Sequence, residues 1–467
     1  MTKKLTALFL SLLMLLSVIA VGAPGVSAAP AQTGSRSYDI TNPYDEVNWD
    51  TWDAYKTQLH VQSIASDGNV QLNDAVEKHY ELGYDILCMT DHSVVGAGWT
   101  TAPQTVPLFR FIKRERTQML PVIPLTEERA AEMKAGVGRD GRGMLEVKQG
   151  VEMNSGTFSN CHVNGYFADY GHASLGVEAD YETAVRMNAK FGGITFLDHL
   201  GCYTGAAESE DGVAVSSDPK YVNKFAKLFI DNPTCVGTDI NSGRNDDTKF
   251  DRVLYDNILQ KTIPYGVVPW AFSFSDGHQI DEFERAYTMH VMPEKTVDAL
   301  RYSMENGQFF SVSRHARMEI SDEFVGEGPT PMVERITVNA AENSITLAVN
   351  NYTENIVWVA NGKEIATGAT IDINDYEGDV TSYVRAYLTG PGGICYTQPF
   401  TVIESGTTLK KERIPVVFDI STVLRPLYNL IDWYFFRNNA FMNLFKKFAL
   451  GMTQEQIDLH YETFYTK

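Results

Sequence analysis

Hydrophobic and polar positions alternate with two different rhythms along the chain. Between about residue 50 and residue 318, short apolar runs such as Asp85–Thr90 and Ile194–Leu197 alternate with amphipathic stretches such as Leu72–Leu82. This alternation predicts βαβ units around a parallel sheet or barrel. The other predicted strands are Leu59–Ser63, Lys148–Met153, His162–Phe167, Cys235–Ile240, Gly266–Phe274 and Phe309–Val312, and the other predicted helices are Tyr181–Phe191, Phe250–Leu259 and Glu294–Glu305.

The pattern changes near Gly326-Glu327-Gly328-Pro329. Short β-rich segments follow, including Ser344–Val349 and Val384–Leu388, and Asn and Gly turns separate them, which predicts a small all-β, sandwich-like domain. After Glu404 the chain is apolar and aromatic but interrupted by charges, which predicts amphipathic helices in a C-terminal tail. Such helices either pack on the protein or lie at a membrane interface, so cell-surface or membrane-interface association through the tail is one expectation.

The N-terminal segment has the three-part pattern of a secretory signal peptide. Lys3 and Lys4 precede the apolar run Leu5–Val21, and small residues lead to Val26-Ser27-Ala28. We therefore expect a secreted or extracytoplasmic protein. The predicted division of the chain is a signal peptide at 1–28, a barrel domain at 36–325, a β domain at 330–403 and a helical tail at 404–467.

Charge and cysteine content exclude some classes of function. The 59 Asp and Glu residues outnumber the 39 Lys and Arg residues, and the formal net charge is −20. A surface this acidic repels phosphate backbones, so general nucleic-acid binding is not expected. The five cysteines are too few, and odd in number, for a disulfide framework.

Histidine and carboxylate side chains fall at or near the ends of the predicted strands. Side chains in these positions converge at one face of a barrel. Five of the ten histidines occupy such positions. Imidazoles mixed with carboxylates suit Zn, Mn or Fe, and two close cations form a clamp suited to phosphoester hydrolysis. The residues are His60, His92, Glu152, His162, His199, Asp276 and His278.

Taken in order, these residues resemble the polymerase-and-histidinol-phosphatase (PHP) family. The resemblance covers roughly residues 50–318. It implies a distorted seven-stranded βα barrel and two or three divalent metal ions (Mn, Zn or Fe) that hydrolyse phosphate mono- or diesters. The matching strings are residues 60–68, Thr90-Asp91-His92, Glu152, His162, His199 and Ser275-Asp276-Gly277-His278.

The resemblance also implies a role for each residue. Gln62 stands where the family has its second histidine, and an amide oxygen is a weaker ligand than imidazole. We therefore expect a first metal site that has lower affinity, prefers Mn over Zn, or is empty. Glu152, Asp276 and His278 are implied to be catalytic, and we expect Asp91 to support the ligands from outside the cluster. The implied ligand sets are His60, Glu152 and Asp276 with Gln62 for the first metal, Glu152, His162 and His199 for the second, and Asp67, His92 and His278 for the third.

A guanidinium group is the expected partner of the substrate. Arg244 follows the strand end Asp239-Ile240-Asn241 and would complement a phosphate. The resulting hypothesis is an exported metal-dependent phosphoesterase with a small phosphorylated substrate. The alternative, motivated by Gln62, is a catalytically weak metal-binding extracellular protein whose β domain serves adhesion or scaffolding. A carboxylate-pair glycosidase would leave the histidines unexplained.

Overall fold

The computed structural model describes residues 36–108, 121–155, 161–174, 180–243, 248–418 and 420–465. The predicted signal peptide and the predicted substrate-binding residue Arg244 lie outside the described residues. Within the described ranges, no helix combines the length and the apolar content that a membrane crossing requires.

The architecture is mixed α/β, as the alternation of apolar runs predicts, and the described strands form three sheets. The largest sheet has eleven strands, the second consists of β5 to β9 in chain order, and the third has the order β12-β13-β16. The strands are β1 (Tyr38–Thr41), β2 (Asp53–Gln58), β3 (Ile86–Cys88), β4 (Leu145–Val147), β5 (Val151–Ser155), β6 (Cys161–Tyr166), β7 (Ile194–Leu197), β8 (Cys235–Asp239), β9 (Trp270–Phe272), β10 (Ala286–Met292), β11 (Phe309–Ser313), β12 (Val333–Asn339), β13 (Ser344–Val349), β14 (Asn355–Ala360), β15 (Lys363–Thr367), β16 (Thr370–Asp372), β17 (Tyr383–Gly390), β18 (Gly393–Tyr396) and β19 (Phe400–Glu404).

Several helices begin and end at residues suited to capping. The Thr296 hydroxyl accepts a hydrogen bond from the Ala299 amide at the start of one helix, and Gly307 ends that helix in the left-handed conformation. The helices are α1 (Leu72–Glu81), α2 (Glu127–Ala135), α3 (Tyr181–Lys190), α4 (Leu200–Thr204), α5 (Gly212–Ser216), α6 (Pro219–Asp231), α7 (Asp251–Thr262), α8 (Val297–Asn306), α9 (Ile420–Phe436), α10 (Ala440–Ala449) and α11 (Gln454–Tyr465), with 3-10 turns at Ile263–Tyr265, Ile280–Glu282 and Ile373–Tyr376.

The predicted position of the first barrel strand is wrong. The strand is β2, which ends at Gln58 and pairs with β10 and β3. The predicted stretch Leu59–Ser63 is buried, but only Val61 makes a bridge, with Gly277. The Ser63 amide donates a hydrogen bond to the Asp91 carboxylate and not to the backbone of a neighbouring strand. This segment therefore has a loop conformation. An apolar run alone does not distinguish these two conformations.

The described strands do not form one continuous closed barrel. β2 and β3 belong to the largest sheet, and β5 to β9 belong to the second. The two sheets are connected by the single bridges Val61–Gly277 and His92–Glu152. We call this region the sheet junction. The ladders stop there because the chain turns out of strand geometry, with positive φ at Ser93 and Asp276.

The largest sheet runs through the limit predicted between the barrel and β domains. β11 pairs with β18, and β1 pairs with β19. The Tyr44 hydroxyl donates to the Phe309 carbonyl at 2.8 Å and accepts from the Gln398 amide at 2.9 Å. The predicted limit therefore marks a change in sequence pattern, while the sheet and its core continue across it.

The C-terminal helices pack on the rest of the protein along one side. Leu450, Met452 and Ile457 are buried against Val94, Val106 and Ala173. The Leu108 amide donates to the Ala449 carbonyl at 2.9 Å. These contacts fix the position of α10 and α11 on the loops that follow β3 and β6.

Candidate metal centre

The predicted metal ligands meet at the sheet junction. They reach it from both sheets, because the loops after β2 and β3 face the ends of β5 to β9 across the two bridges. The loops after β2 and β3 supply His60, Gln62, Asp67 and His92, and the second sheet and its loops supply Glu152, His162, His199, Asp276 and His278.

Glu152 lies at the centre of the cluster and is completely buried. Its Oε1 lies 2.5 Å from His162 Nδ1 and 3.6 Å from His199 Nε2. Its Oε2 lies 3.0 Å from His60 Nε2 and 3.4 Å from His92 Nδ1. Burial raises the pKa of this carboxyl, but the surrounding histidines outweigh burial and hold the pKa well below its usual value. Glu152 is therefore an anion whose two oxygens are shared among four histidines.

Three groups of side chains have ligand atoms that all lie within 4.8 Å of one another. Two of the groups coincide with ligand sets that the family resemblance implies, and both draw residues from the two sheets. The third group contains His92 where the resemblance implies His199, whose Nε2 lies 3.3 Å from His162 Nδ1. The groups are Asp67, His92 and His278; His60, Glu152 and Asp276; and His92, Glu152 and His162.

Gln62 also lies within the cluster. Its Nε2 donates to Glu152 Oε2 at 2.5 Å, and its buried Oε1 has no hydrogen-bond partner. Rotation of the amide by half a turn would exchange the two atoms and place the amide oxygen against Glu152 Oε2, an arrangement that a cation shared by the two oxygens would stabilise. Gln62 thus lies beside the predicted ligands with one side-chain oxygen that has no hydrogen-bond partner.

Asp91 holds the loop that carries three of the predicted ligands. Its carboxylate accepts from the Ser63 amide at 2.7 Å and from the Ser66 hydroxyl at 2.9 Å. Gly68 closes the same loop, because a Cβ there would lie 2.6 Å from the Gln62 carbonyl oxygen. The loop from His60 to Gly68 is therefore held at Ser63 and Ser66 and closes tightly at Gly68, which explains the glycine at this position.

Two of the predicted ligands have strained backbones. The φ angles of His199 and Asp276 are 28° and 46°, a region in which residues other than glycine are rare. Each such conformation costs about 1–3 kcal/mol and persists where the surroundings impose it, often at functional sites. The strain places both side chains toward Glu152, where His199 Nε2 and Asp276 Oδ2 lie 3.8 Å apart.

Two further residues, which the sequence patterns do not identify, adjoin the cluster. Asp198 Oδ1 lies 3.5 Å from His60 Nδ1 and accepts from Asn164 Nδ2 at 2.9 Å. Burial raises the pKa of Asp198 to about 7. The Tyr203 ring lies 5.1 Å from the His162 ring. Two features of the sequence could have indicated these residues. Asp198 directly precedes the predicted ligand His199, and Tyr203 follows His199 by one helical turn.

The histidines differ in their affinity for protons. Burial lowers the pKa of His162 to about 4. Burial also opposes the charged form of His199, but Glu152 and Asp276 raise its pKa to about 9. The pKa of His60 is likewise raised well above its usual value, against the effect of burial, by Glu152, Asp198 and Asp276. A divalent cation would compete with the protons on His60 and His199.

The donor atoms fit divalent metal ions. Gln62 Oε1 is buried without a hydrogen-bond partner, although buried polar atoms are normally paired. Imidazole nitrogens and carboxylate oxygens together suit Mn, Zn or Fe. The described residues thus include a cluster that can hold divalent metals.

Comparisons with known proteins give distant structural likenesses. No family model and no curated protein matches the chain. A two-domain protein from Bacteroides vulgatus, described as containing a predicted PHP-like metal-dependent phosphoesterase, is similar at 15% identity and a TM-score of 0.38, over 80% of this chain and 91% of that one. An amidohydrolase from Chromobacterium violaceum with bound sulfate is similar at 15% identity and a TM-score of 0.27, over 48% of this chain and 87% of that one. At these scores the likenesses establish neither the fold nor the activity of this chain.

Proposed function

We propose that the protein is a PHP-like, metal-dependent phosphoesterase that hydrolyses small phosphate mono- or diesters outside the cytoplasm. One observation carries the proposal, namely the gathering of five histidines and two further carboxylates, Asp67 and Asp276, around the buried Glu152 at the sheet junction. The family resemblance supplies the reaction class, since a cluster of this composition could also serve other hydrolyses. The export component rests on the pattern of residues 1–28.

The cluster would hold two or three divalent ions of Mn, Zn or Fe through the three ligand sets implied by the resemblance. Bound there, they would supply concentrated positive charge that attracts a phosphate and polarises its ester. This local charge is needed because the protein as a whole carries a net charge of −20, which repels anionic substrates.

The protein's own residues are assigned three further roles, which are holding the cluster together, transferring protons and binding the phosphate. Glu152 holds the two halves of the cluster together, because its two oxygens face different histidines. Asp276 and His278 lie at one side of the cluster, with Asp276 Oδ1 3.8 Å from His278 Nδ1, and we assign proton transfer to them. Arg244 is assigned to bind the phosphate bidentately.

Hydrolysis of two chromogenic esters tests the proposal. The purified protein is freed of metal with a chelator, reloaded with Mn, Zn or Fe, and assayed on para-nitrophenyl phosphate and its diester. We expect turnover of at least one ester after reloading and none in the metal-free form. A second candidate, metal binding without catalysis, is favoured by Gln62 in a ligand position. Full metal loading with no turnover of either ester would overturn the phosphoesterase proposal in favour of that candidate.

A further inference from the structure

Exposed apolar side chains concentrate in the C-terminal part of the protein. Among the described residues, 23 large apolar side chains are exposed, and 13 of them lie between Leu409 and Leu459. Contiguous apolar surface of this kind marks an interaction site.

The exposed side chains follow helical spacing on two consecutive helices. Six of them lie on α9, and five of these fall at positions i, i+4, i+7, i+8 and i+11, so that they share one side: Val423, Leu427, Leu430, Ile431 and Tyr434. On α10 they are Phe441, Leu444 and Phe448, of which Phe448 is 74% exposed. We call these eight residues together the tail face.

Packing on the opposite side of α10 fixes the outward direction of the tail face. Met442 and Lys446 are buried, and they alternate in the helix with the exposed phenylalanines. The segment that follows is fastened by a hydrogen-bond contact of 3.1 Å between His172 Nε2 and the Leu450 carbonyl. The inner side of α10 is therefore already used, and reorientation of the helix would expose that side instead.

Charge identifies the kind of surface that fits the tail face. Residues 405–450 contain seven Lys or Arg and three Asp or Glu, a net charge of +4, so the rest of the chain carries −24. Lys446 is buried and Arg425 pairs with Asp180 and Glu182. The remaining basic residues are Lys410, Lys411, Arg413, Arg437 and Lys447, and none of them is buried.

This distribution favours an anionic lipid surface over a second copy of the chain. A symmetric dimer through the tail face would place two positive segments against each other, whereas anionic lipid attracts the tail and repels the rest of the protein. Trp433 and Tyr434 are exposed beside Arg437, whose guanidinium lies 4.9 Å and 4.6 Å from their ring centroids. Tryptophan and tyrosine favour the boundary between lipid headgroups and acyl chains.

We propose that α9 and α10 bind the surface of an anionic lipid membrane through the tail face, with the basic residues at the headgroups. The helices would lie in the plane of the interface, with their apolar side chains inserted. This proposal is independent of the phosphoesterase proposal, because none of the predicted metal ligands belongs to the tail.

Cosedimentation with vesicles tests the proposal. The protein is purified after any processing by the cell that expresses it. It is then mixed with vesicles of pure phosphatidylcholine or of equal parts phosphatidylcholine and phosphatidylglycerol. We expect binding to the mixed vesicles to be at least about tenfold tighter and to weaken as salt is added, because about five basic residues contribute. Equal binding to both vesicles, or binding to neither, would overturn the proposal.

Matched variants locate the binding surface. The triple substitution Phe441→Ser, Leu444→Ser and Phe448→Ser should reduce binding to the mixed vesicles by at least about tenfold, because it removes three inserted side chains. Ile320→Ser with Val325→Ser changes similarly exposed apolar residues elsewhere and should leave binding unchanged. Circular dichroism checks that each variant is folded. Undiminished binding by the folded triple variant would contradict the assignment.

Light scattering separates the lipid surface from self-association. We expect the unmodified protein to be monomeric in the absence of vesicles. A dimer that dissociates in the triple variant and does not bind vesicles would show that the tail face joins two copies, which would overturn the proposal.

Discussion

At the scale of single residues, Glu152 is the group on which the cluster depends most. It faces four histidines and the Gln62 amide, and it is completely buried. Glu152→Gln keeps the volume but removes the charge, so we expect metal affinity to fall by at least about a hundredfold and any hydrolytic rate by about a thousandfold or more. Metal titration followed by calorimetry, with the ester assay in parallel, measures both.

A carboxylate away from the cluster provides the control for this substitution. Glu146 is nearly buried, pairs with Lys134 at 2.7 Å and accepts from the Trp99 amide. Glu146→Gln should affect stability but leave the metal affinity of the folded protein within about twofold. Similar losses of metal affinity in both variants would argue against a special role for Glu152.

Gln62 sets the expected number of tightly bound metals. An amide oxygen binds cations more weakly than imidazole, so we expect about two tightly held ions per unmodified chain and about three after Gln62→His. Elemental analysis after dialysis against a weak chelator counts them. Three tightly held ions in the unmodified protein would show that the amide is an adequate ligand.

Residue patterns identify the members of the cluster better than its neighbours. The order of histidines and carboxylates along the chain predicts side chains that the structure places together, because strand ends impose that convergence. Asp198 and Tyr203 are not predictable in this way, since their proximity to His60 and His162 depends on how β7 and α4 are oriented. Arg244 lies outside the described residues, so its role stays a prediction.

At the scale of elements, the attachment of the C-terminal helices should depend on pH. His172 and His460 are buried where these helices meet the rest of the protein, and burial lowers their pKa to about 4 and about 3. Both histidines take up protons near pH 6.5 once exposed, so acid favours detachment. Their stabilisation is fully present above about pH 6.5 and is lost as the pH falls toward about 4.

Limited proteolysis measures this effect. We expect cleavage between β19 and α10 to be at least about tenfold faster near pH 5 than near pH 7.5, after correction for the protease's own pH dependence. His172→Gln keeps a polar partner for the Leu450 carbonyl but cannot be protonated, so it should reduce the pH effect. An equal rate of cleavage at both pH values would contradict the expectation.

Element boundaries follow from the sequence only where local signals are strong. β7 and β13 have the predicted bounds, and α1 and α3 differ from prediction by one residue at the end. β2 does not, because its apolar continuation Leu59–Ser63 is buried as a loop held by Asp91. Burial alone therefore does not determine a strand; the hydrogen-bond partners do.

At the scale of the whole molecule, a buried ion pair connects the helical region with the β-rich region. Arg385 on β17 donates to both oxygens of Asp256 on α7, at 2.8 Å and 2.7 Å, and Tyr383 donates to the same carboxylate. Arg385→Met would leave Asp256 buried without its cation, so we expect unfolding to require about 3–5 kcal/mol less. Urea denaturation monitored by circular dichroism provides this free energy.

An exposed ion pair serves as the control. Arg301 and Glu305 are 2.9 Å apart on the surface of α8, and Arg301→Met should change the free energy of unfolding by less than about 1 kcal/mol. If Arg385→Met were equally mild, the two regions would be held together mainly by the continuous sheet and the shared core. The sequence does not reveal this connection, because the two partners are 129 residues apart.

The two single bridges at the sheet junction imply that bound cations would also help to hold the two sheets together. A continuous ladder would hold the two sheets together with many hydrogen bonds, but here each connection is a single bridge. Every candidate ligand group contains residues from both sides of that gap, so each bound cation would add a link between two sheets that a few backbone hydrogen bonds and a shared apolar core already join. Chelation should then weaken the contact between the two sheets along this line. Hydrogen exchange measures this effect. We expect the amides of β3 and β5 to exchange faster after the metal is removed, while those of β14 and β17 stay protected.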